Sequence, residues 1–268
     1  MESLVEALQN NLNRIYQGDA SVILRDFEDG CIDLVVTSPP YDTLRKYKGS
    51  GKQWNHEKFK EIAKELTRVL KDGGVIVWNV GDKTEGGSET CTSMRQALYF
   101  VDDCGLNLND TMIWRKTNSM PQVKQPRYNQ CFEYMYVFSK GKPKTFNPIM
   151  VPCKCAGQKY DSTAKNIDGE SGRHKLTYNV NSEKVADNVW DFAVAQNKGD
   201  KTHPAVFPIE LPKRHILSWT NEMDIVLDPF CGSGTTLLAA EQLGRKWVGI
   251  DIEKEYVDLA AEILNGNA

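Results

Sequence analysis

Ile225-Val-Leu-Asp-Pro-Phe-Cys-Gly-Ser-Gly-Thr-Thr236 runs directly into Leu237-Leu-Ala-Ala-Glu241. A short apolar run, a glycine turn and a helical start, in that order, make a strand–loop–helix unit of the nucleotide-binding kind. Gly232 and Gly234 let the backbone approach a ligand closely, because no Cβ stands in the way. Asp228, at the predicted strand end, can accept hydrogen bonds from a ligand's ammonium group. The next apolar run, Trp247-Val-Gly-Ile250, ends in Asp251. An acid ~20 residues after such a turn is placed to hold the ribose hydroxyls of a nucleoside. A dinucleotide dehydrogenase is the nearest competitor. Against it, the loop reads D-P-F-x-G-S-G-T-T rather than G-x-G-x-x-G, and Asp228 would repel a pyrophosphate.

Outward from this unit, short runs rich in β-branched residues alternate with helical patterns, which predicts parallel strands joined by helices. The expected strands are Arg14–Gln17, Asp33–Thr37, Val75–Val80, Thr111–Trp114, Tyr134–Phe138, Ile225–Leu227 and Trp247–Ile250. His56–Leu70 carries Phe59, Ile62, Ala63, Leu66, Val69 and Leu70 at helical spacing, with Asp72-Gly73-Gly74 as its expected stop. Thr235–Leu243 and Glu253–Leu264 read as further helices. The expected fold is an α/β doubly wound sheet, with residues 1–140 and 202–268 forming the main domain. Residues 141–201 are rich in Lys, Asn, Ser and Gly and weakly periodic. A structureless loop of that length is unusual in a compact domain, so the region reads as a small inserted lobe.

The second informative stretch is Thr37-Ser-Pro-Pro-Tyr41, at the end of the Asp33–Val36 run. Pro39 and Pro40 fix φ and restrict the preceding residues, so the chain leaves the strand in a stiff extended turn. Neither has an N–H, so carbonyls here can face a substrate without competing donors. That suits an exocyclic amino group, whose lone pair must be aimed at an electrophile. Acceptors at Ser38 and Pro39 can draw on its N–H groups, and Tyr41 offers a face for stacking on an extruded base. Taken alone, a Pro-Pro-Tyr turn is more often a rigid loop or a polyproline recognition motif. Its place after a buried strand, in one chain with Asp228–Thr236, favours chemistry.

Asp228–Thr236 resembles the cofactor loop of the amino-DNA methyltransferases, and Gly249-Ile-Asp-Ile252 the segment after it. With Ser38-Pro-Pro-Tyr41 ahead of that loop, the chain resembles the β-class of the family along nearly its whole length. The resemblance implies a Rossmann-like, circularly rearranged methyltransferase fold, S-adenosylmethionine as cofactor and DNA as substrate. It further implies base flipping and direct in-line transfer, with Ser38, Pro39, Pro40 and Tyr41 at the catalytic turn. Asp19 and Ala20, Thr37, Phe207 and Pro208, Asp228, Pro229, Phe230, Gly232, Gly234, Thr235, Thr236, Asp251 and Ile252 would line the cofactor. His203 through Leu211 resembles the segment closing over the methionine end, and residues 141–201 fall where the family keeps its target-recognition region. Relatives often carry His-Glu where this chain has Phe132-Glu133, so no role for that histidine carries over. Ser at position 38 resembles the cytosine-N4 subgroup, and adenine-N6 is the alternative. Homodimerisation and a cognate restriction endonuclease are implied by the family alone.

Bulk properties fit this reading without selecting it. The 268 residues carry a formal charge of −3, so nothing overall advertises nucleic acid. Between Thr111 and Asn147, however, seven basic residues face one acid, Glu133. Arg115, Lys116, Lys124 and Arg127 are the expected phosphate contacts. The seven cysteines are scattered, and Cys153-Lys-Cys155 is too close for the usual zinc spacing, so no metal is expected. No apolar run suits a signal peptide or a membrane helix, which leads to a cytoplasmic expectation. RNA or protein-amide methylation, and a cofactor-binding subunit without activity, are the competing readings. Enzymes of the first kind generally place the cofactor loop before the Pro-Pro-Tyr turn, and both motifs are intact here.

Overall fold

The computed structural model describes residues 12–40, 54–119, 126–165, 173–194 and 207–266, with only the backbone for 162–165 and 173–176. The larger of its two compact units comprises residues 1–147 and 188–268. In chain order its elements are β1 (Arg14–Gln17), α1 (Ala20–Ile23), β2 (Ile32–Thr37), α2 (His56–Val69), β3 (Leu70–Val80), α3 (Thr92–Asp102), β4 (Asn107–Lys116) and β5 (Phe132–Ser139). The smaller unit supplies β6 (Met150–Pro152), β7 (Lys159–Lys165), β8 (Arg173–Asn179) and β9 (Glu183–Val185). The larger unit then resumes with β10 (Val189–Phe192), α4 (Glu210–Trp219), β11 (Ile225–Asp228), α5 (Thr235–Gln242), β12 (Lys246–Asp251) and α6 (Lys254–Gly266).

Eight strands form one sheet in the order β1-β12-β11-β2-β3-β5-β4-β10. Every pairing is parallel except those of β5, which runs against both β3 and β4. Strands buried on both faces read as continuous apolar runs, as Val75–Val77 does, and that is why the sheet is visible in the sequence. On one face α2 and α3 meet the core of Phe59, Ile62, Leu66, Ile76, Trp78, Phe100 and Phe138. Elsewhere α4 packs on β2 and β3, α5 on β11 and β12, and α6 on β1 and β12. No described helix is long and apolar enough to cross a membrane.

The expected glycine stop after α2 is instead a bulge. Asn55 caps α2, its side chain accepting from the Lys58 N–H, and the helix passes straight into β3 at Leu70. The register jumps from Ile32 opposite Leu70 to Leu34 opposite Val75, so residues 71–74 loop out of the ladder. Gly73 adopts φ +78°, and a Cβ there would lie 2.8 Å from the Lys144 side chain. Glycine therefore serves the strand rather than ending the helix.

In the larger unit, α1, α3, α4 and β10 escape the periodicity reading. α3 starts at Cys91 in a left-handed conformation with no side-chain cap from that residue. Asp82, from the loop after β3, accepts from the Ser93 N–H at 3.0 Å and from the Ser93 hydroxyl. α4 begins at Glu210, directly after the Phe207-Pro208-Ile209 stretch. β10 adds an eighth strand at the sheet edge, pairing Trp190 with Trp114.

The smaller compact unit is Pro148–Asp187, shorter at both ends than the region marked by composition. β7 pairs with β8 and β6 with β9, both antiparallel. Tyr160 and Tyr178 set their rings 6.0 Å apart across the β7–β8 hairpin, with Thr177 donating to Asp161 beside them.

Candidate active site

In an open α/β sheet, ligands bind at the carboxyl ends of the strands, and the expected residues collect there. Asp228 ends β11, Asp251 ends β12, Thr37 ends β2, and Gly18-Asp19 follow β1. Parallel pairing puts Gln17 level with Asp251, and the Gly18 N–H donates to the Asp251 carbonyl at 2.9 Å. Residues from the two ends of the chain thus become neighbours.

The Asp228 side chain accepts from the Thr37 hydroxyl at 2.6 Å and from the Phe230 N–H at 3.1 Å. The first bond ties the residue before the Ser-Pro-Pro turn to the head of the glycine loop. A second tie runs from the Thr236 hydroxyl to the Val36 carbonyl at 3.3 Å. Burial raises the Asp228 carboxyl to about 6 despite the bonds it accepts from Thr37, Thr236 and Phe230, and Asp251 pushes it the same way. Burial likewise raises Asp251. Its oxygens accept from the Gly232 N–H at 2.9 Å and the Glu253 N–H at 3.0 Å. The donors described at both carboxylates are neutral.

Gly232 therefore acts first as a donor that fixes Asp251. Gly234, at φ +82°, turns the chain into α5. The closest approach in the unit belongs to Gly249 on β12, to which the sequence alone assigns no packing role. A Cβ there would lie 2.5 Å from the Leu237 side chain of α5. Pro229, Gly232, Gly234 and Thr236 are buried, Thr235 is partly so, and Ile252 is exposed.

Asp19 has a structural task as well. One of its oxygens caps α1 by accepting from the Ser21 N–H at 2.8 Å, and the other lies 3.0 Å from the Lys58 ammonium. Partial burial pushes its carboxyl up, but the bonds from Lys58 and Ser21 outweigh this and leave it lowered. Ala20, which follows it, is buried.

Ser38 and Pro40 are partly exposed and Pro39 is buried just beyond β2. Tyr41, Lys124 and His203 lie outside the described residues. Phe207 and Pro208 precede α4, with the Pro208 carbonyl accepting from the Leu211 N–H. Phe230 packs edge-on against Trp54 at 5.2 Å and Trp78 at 6.2 Å. Trp54 and Lys58 carry no signal in the sequence, because each reads as an ordinary residue flanking or opening a helix.

The basic segment looks different once folded. Arg115 forms two bonds to the Asp191 carboxylate of β10. Arg127 lies against Thr84, the Gly87 carbonyl and Glu89. Lys116 is 2.6 Å from Glu133, whose side chain is only 6% exposed, and lies over the Trp114 ring. Glu133 also accepts from the Asn79 amide at 2.9 Å. Asp191 and Glu89, from outside the segment, thus offset Arg115 and Arg127, while Lys116 is met by the segment's own Glu133.

Comparison with known proteins agrees with this geometry. The family model described as DNA methylase matches residues 32–262. The orphan methyltransferase M.BamHII of Bacillus amyloliquefaciens is 49% identical, over 88% of this chain and 89% of that protein. The DNA adenine methyltransferase YhdJ of Escherichia coli (strain K12) is 31% identical, over 96% and 84% respectively. Among solved structures, the PvuII DNA methyltransferase, described as cytosine-N4-specific, superposes with a TM-score of 0.69 at 25% identity, covering 92% of this chain and 84% of that one. With both motifs on one sheet edge and a match over most of its length, this chain belongs to the DNA methylase family, as a β-class amino-DNA methyltransferase.

Proposed function

We propose that this enzyme methylates the N4 amino group of cytosine within a specific DNA sequence. The observation that carries the reading is the 2.6 Å bond from Thr37 to Asp228, which fastens the amino-group turn to the cofactor loop. The residues present fit the cofactor of the family. Asp228 and Asp251 are buried acids met by neutral donors, an arrangement that favours a cationic, hydroxyl-bearing ligand. S-adenosylmethionine supplies an electrophilic methyl group on a sulfonium.

Asp228 would accept from the cofactor's ammonium, Asp251 from its ribose hydroxyls, and Asp19 with Ala20 would border the adenine. Phe230, Pro229, Gly232, Gly234, Thr235, Thr236 and Ile252 would shape the walls, with Phe207 and Pro208 at the methionine end. Ser38 and the Pro39 carbonyl would accept N–H bonds from the target amino group and aim its lone pair, while Tyr41 and Pro40 support an extruded base. Holding nucleophile and methyl group in line supplies most of the rate, and no covalent link to the chain is required. Pro148–Asp187 is assigned to target recognition within the broader 141–201 region.

Arg115 and Arg127 would contact phosphates by exchanging Asp191 and Glu89 for backbone oxygens, and Lys124 is proposed as a further phosphate contact from its sequence alone. Lys116 is the least suited of the four, since its ammonium is already held by buried Glu133.

Adenine-N6 is the second reading, favoured by the 31% identity to an adenine methyltransferase. DNA methylated by the purified enzyme, digested and resolved into nucleosides, separates the two. N4-methylcytosine is expected, and N6-methyladenine alone would replace the proposal. A homodimer and a cognate endonuclease belong to the same proposal; sedimentation and the neighbouring genes test them.

A further inference from the structure

At the β4–β10 corner of the sheet, Arg214 is a cation with no acid beside it among the described residues. Trp190 and Phe192, two residues apart on β10, share one face of the sheet. From the second turn of α4, the Arg214 guanidinium lies 4.9 Å from the centre of the Phe192 ring and 5.5 Å from that of Trp190. The two rings stand at 77° to one another. Trp190 is buried, whereas Arg214 is partly exposed. Its N–H groups meet no acceptor among the described residues.

The neighbouring cations differ. Arg115 gives two bonds to Asp191, and Lys116 is held by Glu133. Arg115, Lys116 and Arg214 thus face Asp191 and Glu133, and the surplus positive charge is that of Arg214. An aromatic ring takes only the face of a guanidinium, so the N–H donors around its rim stay available. Those donors form a planar fork that matches two oxygens of a phosphodiester. Stacking also holds the side chain in place beforehand, which lowers the entropy lost on binding.

The position suits such a ligand. β10 runs parallel to β2, so Phe192 ends at the same edge from which Ser38 departs. Between β2 and β10 stand β3, β5 and β4, so the two ends are four strand spacings apart, roughly 19 Å. That is too far for a contact with the base at the Ser-Pro-Pro turn. It suits a phosphate several nucleotides away, since phosphates follow one another at about 3.4 Å along one strand of a duplex.

We propose that Arg214 is a phosphate-binding residue for the DNA substrate, its guanidinium mounted on Trp190 and Phe192 to take a phosphodiester that flanks the target base. The inference rests on DNA as the substrate and is independent of which base is methylated. Arg115 must release Asp191 before it can meet a phosphate, whereas Arg214 has no described acid to release. Removing Arg214 should therefore weaken DNA binding more than removing Arg115.

The test reads salt dependence and then the position of the contact. Duplexes carrying the recognition sequence, read beforehand from DNA that the enzyme has methylated, are titrated between about 50 and 200 mM salt. Wild type is compared with Arg214→Met, which keeps the stem on the rings, Arg214→Lys, which keeps the charge but not the fork, and Arg115→Ala. Calorimetric titration with S-adenosylmethionine reports an intact fold. Arg214→Met should lose on the order of tenfold in DNA affinity. The slope of its log affinity against log salt should fall by about 0.9, with kcat at saturating DNA near that of wild type. Arg214→Lys should keep the slope and lose part of the affinity. A series of duplexes, each with one phosphate replaced by a neutral methylphosphonate, then locates the contact. One position should weaken wild type on the order of tenfold and leave Arg214→Met unaffected. An unchanged salt slope in Arg214→Met, or the same methylphosphonate profile in wild type and variant, would overturn the assignment. If Arg214→Met fails to bind cofactor, the Arg214→Lys profile decides: a smaller loss at that one position is expected, and an identical profile overturns the proposal. Wild-type enzyme that binds no DNA would remove the reading beneath it, a distinguishable result.

Discussion

At the β11–β12 side of the carboxyl edge, two buried carboxylates accept hydrogen bonds from neutral donors; at the β4–β5 side, Glu133, Lys116, Arg115 and Asp191 lie against opposite charges. Both sides give up stability to hold charge, but differently. Asp228 and Asp251 meet only neutral donors among the described residues, and burial pushes both carboxyls up, as suits groups proposed to take a cationic, hydroxyl-bearing ligand. The Lys116–Glu133 pair is complete within the fold and is suited to holding a neighbour in place. Partners, more than the mere presence of charge, separate a binding group from a positioning one.

The largest effect should come from breaking the uncompensated side. Asp228→Asn keeps the shape and removes the charge, and should weaken S-adenosylmethionine binding about a hundredfold. Calorimetric titration would also show the wild-type affinity falling as the pH drops through about 6, because a protonated Asp228 offers the ammonium no charge. The variant should lack that dependence. A wild-type affinity that stays level from pH 8 to 5 would remove Asp228 from the cofactor site.

Next in size is the packing beneath that loop. Gly249→Ala places a methyl 2.5 Å from Leu237, and overpacking of this kind costs about 1–3 kcal/mol. Denaturant unfolding should record that loss. No loss would mean that α5 can slide on β12, contrary to a rigid loop.

His215 gives a third test, away from the edge. It is fully buried on α4, its ring 4.7 Å from Trp190, and neither ring nitrogen has a hydrogen-bond partner among the described residues. Burial drops its pKa from 6.5 to about 3. The unfolded chain therefore takes the proton first. Stability conferred by neutral His215 is complete above pH 6.5 and declines as the pH falls toward 3, by about 1.4 kcal/mol per pH unit. Asp228 works in the opposite sense: its folded pKa is raised, so its contribution grows as pH falls below about 6. His215→Phe should flatten the acid limb of stability against pH, whatever its effect at neutrality. An unchanged slope would show that the histidine reaches a partner when protonated.

The smallest effect is expected where charges pair in solvent. Arg115 and Asp191 are both largely exposed, and such pairs contribute little to stability because water screens them. Arg115→Ala should leave the melting temperature nearly unchanged while weakening DNA binding and lessening its salt dependence. Unaltered DNA affinity would confine Arg115 to its partner on β10.

These contrasts also explain what is legible before folding. The glycine loop is local: Asp228, Gly232, Gly234 and Asp251 lie on one strand–loop–helix–strand unit, so sequence order carries their geometry. Continuous apolar runs likewise reveal the buried strands. The β4–β5–β10 edge is assembled from distant segments, and counting charge along one segment cannot show Asp191 arriving 76 residues after Arg115. α3 is obscure because its capping carboxylate, Asp82, comes from the loop after β3. β10 hides inside a polar stretch that only the burial of Trp190 distinguishes. Asn79 does leave a trace, as a polar residue within an apolar strand run, though its hydrogen bond to Glu133 becomes visible only in the folded sheet.

The central claim is that one sheet edge carries a methyl donor to an exocyclic amino group, through a turn fastened to the cofactor loop by Thr37 and Asp228. The most direct measurement incubates the purified enzyme with unmethylated DNA and S-adenosylmethionine labelled in its methyl group, then resolves the labelled nucleosides. Label is expected in N4-methylcytosine, abolished by Asp228→Ala and strongly reduced by Ser38→Ala. Label at ring carbon, in RNA or protein but not DNA, or transfer indifferent to Asp228, would contradict it.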